Sequence, residues 1–212
     1  MKRLISMAVI RRLPKYHRYL TDLMNEGVER ISSKELSEII GFSASQIRQD
    51  FNNFGEFGQQ GYGYNVVDLH REISNIIGLN KKYHIALIGV GNFGSAVAKY
   101  SFQEMGFYID ALFDNDPEKV GKTLNNVEVT DTNFLETYLS KNEIDIVAIT
   151  TPAAAAQKLA DRLVICGVKA IWNFAPVDLT VPEDVVVENV SLLDSLMTVS
   201  YLLNEQRDAA VQ

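Results

Sequence analysis

The chain has 212 residues, 47% of them hydrophobic, a single cysteine and a formal charge of −7 at neutral pH. It is long enough for one medium domain or two small ones, and it holds no apolar run near the roughly 20 residues that span a bilayer. Cys166 alone excludes an intramolecular disulfide, and residues 1–12 lack the apolar stretch and cleavage site of a secretory signal, so a cytoplasmic protein is expected.

The charge is unevenly placed. Residues 1–80 carry ten Lys/Arg against nine Asp/Glu, whereas residues 81–212 carry ten against eighteen. The first 21 residues hold six basic groups and no acid. Phosphate contacts are local and screened over about 10 Å, so the N-terminal part suits a polyanion that the rest of the chain repels.

In chain order, residues 1–13 read as a mobile basic arm. Pro14 then opens a helix with Tyr16, Tyr19, Leu20 and Leu23 on one face, and Gly27 stops it. Ser32 with Glu35 predicts a capped second helix carrying Leu36, Ile39 and Ile40, closed by Gly41. A third helix is predicted over residues 44–53. Two helices joined by a short turn containing Gly form a helix-turn-helix. Phe54 to Tyr64, with four glycines among aromatics, predicts a tight hairpin, the wing of a winged helix. An amphipathic helix over residues 66–77 follows, and residues 78–82 mark the boundary between a 1–80 DNA-binding domain and an 81–190 domain.

Beyond that boundary strands and helices alternate, which predicts an α/β doubly wound parallel sheet of Rossmann type. Strands are expected near 84–89, 107–113, 144–150, 169–173 and 185–188, with a short extra one within 124–129. Helices are expected near 92–103, 132–141 and 153–166. A last helix over residues 192–205 is too apolar to lie alone on a surface, since Leu192, Leu193, Leu196, Met197, Val199, Tyr201, Leu202 and Leu203 crowd it.

Gly89-Val90-Gly91-Asn92-Phe93-Gly94 follows the first strand and opens the first helix of this domain, and Asp114 ends the second strand twenty residues past Gly94. This arrangement binds a dinucleotide. Gly89 permits the turn, Gly91 the approach of pyrophosphate and Gly94 close helix–strand packing, while Asn92 and Phe93 begin a helix whose amides face the phosphates. The Asp114 carboxylate is expected to bond both ribose hydroxyls and to favour NAD over NADP; Asp116 reads as a turn residue. Thr150-Thr151-Pro152 and Asn173-Phe174-Ala175-Pro176 follow later strands at the same sheet edge, and each reads either as nicotinamide lining or as an ordinary strand-to-helix turn.

In the helix-turn-helix, the DNA-facing segment runs from Ser43 to Asp50. Ser43 and Ser45 suit phosphates or bases, Gln46 suits adenine and Arg48 suits guanine or phosphate; Gln49 and, on the wing, Gln59, Gln60 and Tyr62 complete the set, while Ile47 and Phe51 are expected in the core. No histidine lies at a strand's carboxyl end, no Tyr-x-x-x-Lys pair occurs and no His/Cys/Asp cluster has metal spacing, so neither catalysis nor a metal is expected. Two rival readings remain open: a nicotinamide-dependent oxidoreductase with a helical N-terminus, and a winged-helix regulator that senses another nucleotide.

The recognition segment Ser45 to Phe51, the wing, the glycine fingerprint with Ser95-Ala96, the Phe113 to Gly121 segment and Asn173 to Pro176 together resemble the Rex family of redox-sensing repressors, in one order over nearly the whole chain. The resemblance implies a homodimer with swapped C-terminal helices over residues 191–212. It implies an inverted-repeat operator in double-stranded DNA, and release from it by NADH but not by NAD⁺. It places Tyr100 beside the nicotinamide and Arg18 in an interdomain network. The sequence departs from the family pattern at Gln49, Gln59 and Gln60, where basic residues are usual, and at Ser191, where some members have Asp. Phe93 replaces Leu or Met, a change expected to be neutral.

Overall fold

The computed structural model describes residues 5–54 and 62–211. The chain divides into two compact units, Met1–Lys81 and Lys82–Gln212.

The first unit comprises α1 (Met7–Ile10), α2 (Leu13–Asn25), β1 (Arg30–Ile31), α3 (Ser33–Ile40), α4 (Ala44–Asn52), β2 (Tyr64–Asn65) and α5 (Val66–Ile77). The expected mobile arm is corrected over its described part. Ser6 accepts a hydrogen bond from the Val9 amide, Val9 and Leu13 are buried, and Arg12 is tied into the fold, so α1 is anchored by burial and charge that local composition does not reveal. α3 carries the expected capping box, Ser32 with Glu35, and ends at Gly41 with φ +79°. Tyr16, Leu20, Leu36, Ile47 and Phe51 form a closed core in which the Phe51 ring meets Tyr16 and Tyr64 edge-on at 4.9 and 5.2 Å.

The predicted wing falls largely outside the described residues, Gln59 and Gln60 included. Its base is present: β1 pairs antiparallel with β2, Ile31 opposite Tyr64. Gly63 adopts φ +69°, and a Cβ there would lie 2.7 Å from the Ile31 carbonyl oxygen, so only glycine fits.

The second unit comprises β3 (Tyr83–Ile88), α6 (Asn92–Lys99), β4 (Phe107–Asp114), β5 (Thr123–Leu124), β6 (Val127–Asp131), α7 (Leu135–Leu139), β7 (Ile146–Ile149), α8 (Ala153–Ile165), β8 (Ala170–Asn173), β9 (Val186–Asn189) and α9 (Leu192–Val211). The strand order is β5-β6-β4-β3-β7-β8-β9, all parallel except β5. Setting β5 aside, this is the doubly wound order whose direction reverses between β3 and β7, where ligands bind beyond the carboxyl ends. Residues alternate between two buried faces: Ala86, Ile88, Val147 and Ile149 pack beneath α8, and Ile85, Leu87 and Ala148 pack with Val97 and Ala98 of α6.

Four expected elements differ. The 124–129 strand is a hairpin of β5 and β6, turned by Asn125 and Asn126 at φ 50° and 66°. The 92–103 helix stops at Lys99 and resumes as a 3₁₀ turn, Phe102–Met105; the 132–141 helix is a 3₁₀ turn, Thr132–Phe134, followed by α7. The last helix passes residue 205 and reaches Val211, with the apolar residues named above 44–66% exposed in the single chain.

α2 and α5 meet through two imidazoles. The His17 and His70 ring centroids are 4.3 Å apart. Thr21 Oγ1 donates to the His17 carbonyl and lies 3.0 Å from His70 Nε2. Its one proton is thereby engaged, which makes His70 Nε2–H the donor. Burial lowers the pKa of both rings, and the charge of His70 lowers that of His17 further. A lowered histidine pKa leaves stability intact above the unfolded value of about 6.5 and removes it as pH falls through the folded value. The first unit is therefore expected to lose thermal stability between neutral pH and mild acid. In a His17→Leu/His70→Gln variant this loss should be largely absent from melting curves recorded across that range.

Candidate dinucleotide and DNA-reading sites

The end of β3 turns at Gly89, where φ is +101° and a Cβ would lie 2.9 Å from the Thr150 carbonyl carbon. The Gly89 amide donates to the Phe113 carbonyl at 2.8 Å and its own carbonyl accepts from Thr150 Oγ1 at 2.6 Å, so the two strands flanking β3 grip the turn. A Cβ at Gly94 would lie 1.9 Å from the Gly89 carbonyl oxygen, whereas one at Gly91 would meet nothing within 4 Å. The two cases separate the glycines' work: Gly94 lets α6 seat against the sheet, and Gly91 leaves its side open at the helix N-terminus, where a pyrophosphate fits.

A cavity of about 780 Å³ opens over this turn, in the size range of cofactor sites. Gly89, Gly91, Asn92, Phe93, Asp114, Thr150, Thr151 and Pro152 all line it, as the sequence reading expects. Thr151 Oγ1 is buried without a hydrogen-bond partner, an orphaned polar atom at the cavity that a ligand hydroxyl or amide would satisfy.

Asp114 does not stand free for a ribose. It is buried, and Oδ2 accepts from the Val90 amide at 2.6 Å and lies 3.2 Å from Lys119 Nζ, while Oδ1 accepts from the Asp116 amide at 2.9 Å. A carboxylate offers about four lone-pair sites, so one position on Oδ1 remains for a ribose hydroxyl in this arrangement. Lys119 also lies 3.4 Å from Asp116. The Asp116 carboxyl is held below its usual range, first by the Glu118 amide. Sequence reading missed Lys119, Asn115 and Asp116 as lining residues, and also Lys158 and Arg162 of α8. Residues 155, 158, 159 and 162 recur at helical spacing after a strand end that faces the ligand, the one signal that would have found them.

The second strand-end loop behaves differently. Asn173 is fully buried, and its Nδ2 donates to the carbonyls of Ala175 and Val177 and to Asn189 Oδ1 while its Oδ1 accepts from the Ala175 amide. Asn173 therefore shapes the loop and ties β8 to β9, and Ala175 and Pro176 do not line the cavity. The Phe93 ring lies 5.2 Å from Phe174 and begins a run through Trp172 and Phe102 to Tyr100. Tyr100 caps the end of α6, 66% exposed, outside the cavity lining. Ser191 accepts from the Asp194 amide and so caps α9.

In the first unit Ser43 caps α4 through the Gln46 amide and touches Ser45 Oγ at 3.0 Å. Arg48 donates to Ser33 Oγ at 2.9 Å, and Ser43, Ser45, Arg48 and Gln49 are exposed while Ile47, Asp50 and Phe51 are buried. One face of α4 is thus polar and open, the form of a major-groove reader. Tyr62 is 71% exposed. Arg18 lies over the Tyr19 ring at 5.3 Å.

Residues 4–52 match the family described as "Putative DNA-binding protein N-terminus", and residues 80–177 match the CoA binding domain family. The redox-sensing transcriptional repressor Rex of Clostridium botulinum is 60% identical over 205 residues, covering 96% of this chain and 98% of that protein. The Rex repressor of Clostridium tetani is 57% identical over 208 residues, covering 98% and 99%. The chain belongs to the Rex family. Two solved structures of RSP, a Rex-family repressor, agree in fold: its complex with β-NAD⁺ and operator DNA superposes with a TM-score of 0.92 at 55% identity, covering 97% of this chain and 95% of RSP. Its complex with β-NADH gives 0.89 at 52%, covering 97% of both chains. Rex proteins are transcriptional repressors, not enzymes.

The glycine contacts give a direct test. Gly94→Ala forces a methyl onto backbone that cannot yield, an overpacking cost of about 1–3 kcal/mol. It should lower the melting temperature of the second unit, whereas Gly91→Ala, facing open space, should leave it nearly unchanged; differential scanning calorimetry of both variants decides.

Proposed function

We propose that this chain represses transcription as a homodimer on an inverted-repeat operator, and that NADH bound at the Gly89–Gly94 cradle releases it while NAD⁺ does not. The observation that carries the reading is the near-complete likeness, in length, sequence and fold, to RSP, which has been solved with β-NAD⁺ and operator DNA and with β-NADH. The cavity and its orphaned Thr151 hydroxyl support a dinucleotide in the second unit, and the open polar face of α4 supports base reading in the first.

α9 supports the dimer. Eight large apolar side chains stand 44–66% exposed along one helix, far more than a monomer leaves to water, and a second copy of the chain is the partner that buries them. One α4 per half-site, spaced by the dimer, then reads a palindromic operator. An effector shifts such a two-state dimer only by its differential affinity for the two states. Truncation after residue 190 should yield monomers in light scattering and lose operator affinity.

The reading is tested by fluorescence anisotropy on a labelled AT-rich inverted repeat, titrated with NADH and then NAD⁺ at fixed salt. Release by NADH alone is expected. Asp114→Ala should weaken NADH through the lost Val90 anchor and ribose contact while ligand-free operator binding stays intact; unchanged NADH affinity would remove the pocket assignment.

A further inference from the structure

Asp50 is the one acid on α4, and it faces inward. Its residue is 2% exposed, while Arg48 and Gln49 beside it face water. A buried carboxylate is tolerated only when it is paired and hydrogen-bonded, and this one is bonded at both oxygens. Arg12 grips it with both arms of the guanidinium, Nε to Oδ2 at 2.6 Å and Nη2 to Oδ1 at 2.7 Å, and the Tyr16 hydroxyl donates to Oδ2 at 2.8 Å. Arg12 and Lys15 also lie over the ring of Phe42, in the turn that leads into α4, at 5.9 and 4.6 Å. The N-terminal end of α2 therefore holds α4 at both ends, at the turn before it and at its last turn.

We propose that Arg12 and Tyr16, acting through the Asp50 carboxylate, are positioning residues that fix the roll of α4 and thereby set how sharply it discriminates one DNA sequence from another. Apolar contacts alone cannot do this, because Ile47 and Phe51 can repack as a helix turns while a two-armed guanidinium–carboxylate pair is fixed in plane and direction. A roll of about 20° moves a side-chain tip about 6 Å from the helix axis by about 2 Å, more than a base-edge hydrogen bond survives. Arg12 thereby takes a different role. By composition it belongs to the basic N-terminal stretch that would meet phosphates, yet its charge is matched inside the fold by Asp50.

The proposal rests on α4 being the DNA reader, so Arg48→Ala is measured beside the test variants. In the full-length protein, affinities for the operator and for a random duplex are measured over a range of salt for wild type, Tyr16→Phe, Arg12→Lys and Arg12→Gln. Tyr16→Phe keeps the buried ring and removes only the hydroxyl; Arg12→Lys keeps the charge and removes the fork. Each is expected to lower the operator-to-random ratio by about three- to tenfold, the effect of one lost hydrogen bond. The slope of affinity against salt and the NADH affinity should stay at wild-type values. The proposal is overturned if Arg12→Lys matches wild type while Arg12→Gln weakens both duplexes alike and lowers the salt slope by about one, which marks a phosphate contact. A fall in melting temperature with an unchanged ratio would equally overturn it, leaving a purely structural lock. If Arg48→Ala leaves operator affinity intact, α4 is not the reader and the inference falls with that premise.

Discussion

The second unit depends on one close approach. The helix after the first strand can sit on the sheet only because Gly94 has no side chain, since a Cβ there would overlap the Gly89 carbonyl oxygen at 1.9 Å. That seat sets the direction of α6, hence where its free amides point, hence where a phosphate can bind. Gly89 adds the sharp turn, and the Thr150 hydroxyl closes it from the neighbouring strand. The cavity follows from the same geometry, because β3 and β7 are the strands between which the winding order reverses.

Both units use a buried carboxylate to organise a site from beneath. Asp114 braces the glycine loop through the Val90 amide and draws Lys119 to the cavity wall. Asp50 braces the recognition helix through Arg12 and Tyr16. Each carboxylate is bonded through both oxygens, and that is what makes each rigid: an acid held at both oxygens has one low-energy orientation, and the groups that hold it share that orientation. Burial and the bond to Asp50 together push the Tyr16 hydroxyl far above its usual pKa, so it remains a donor at any physiological pH.

The parts legible in the sequence were those written in local spacing. The glycine fingerprint, the Ser32–Glu35 cap and the alternating strand pattern each predict structure within a few residues, and all three are found. Elements that depend on distant partners were misplaced. Residues 7–10 of the N-terminal arm are helical, with Val9 buried and Arg12 held by Asp50 thirty-eight residues away. Asn173, a polar residue at a strand's carboxyl end, matches a ligand contact in one dimension and is a fully engaged loop brace in three. The packing of Phe93 beside Phe174, eighty-one residues on, is likewise invisible in local spacing.

Local patterns along the chain are enough to place a helix-turn-helix unit before a doubly wound nucleotide-binding sheet, because helical and strand periods, caps and glycine spacing are local properties of the chain. The partners of individual charged groups are set by the folded chain. That Asp114 braces the Val90 amide, and that Arg12 meets a buried carboxylate, depends on which groups the fold brings within about 3 Å, and hydrogen bonds act only over that range.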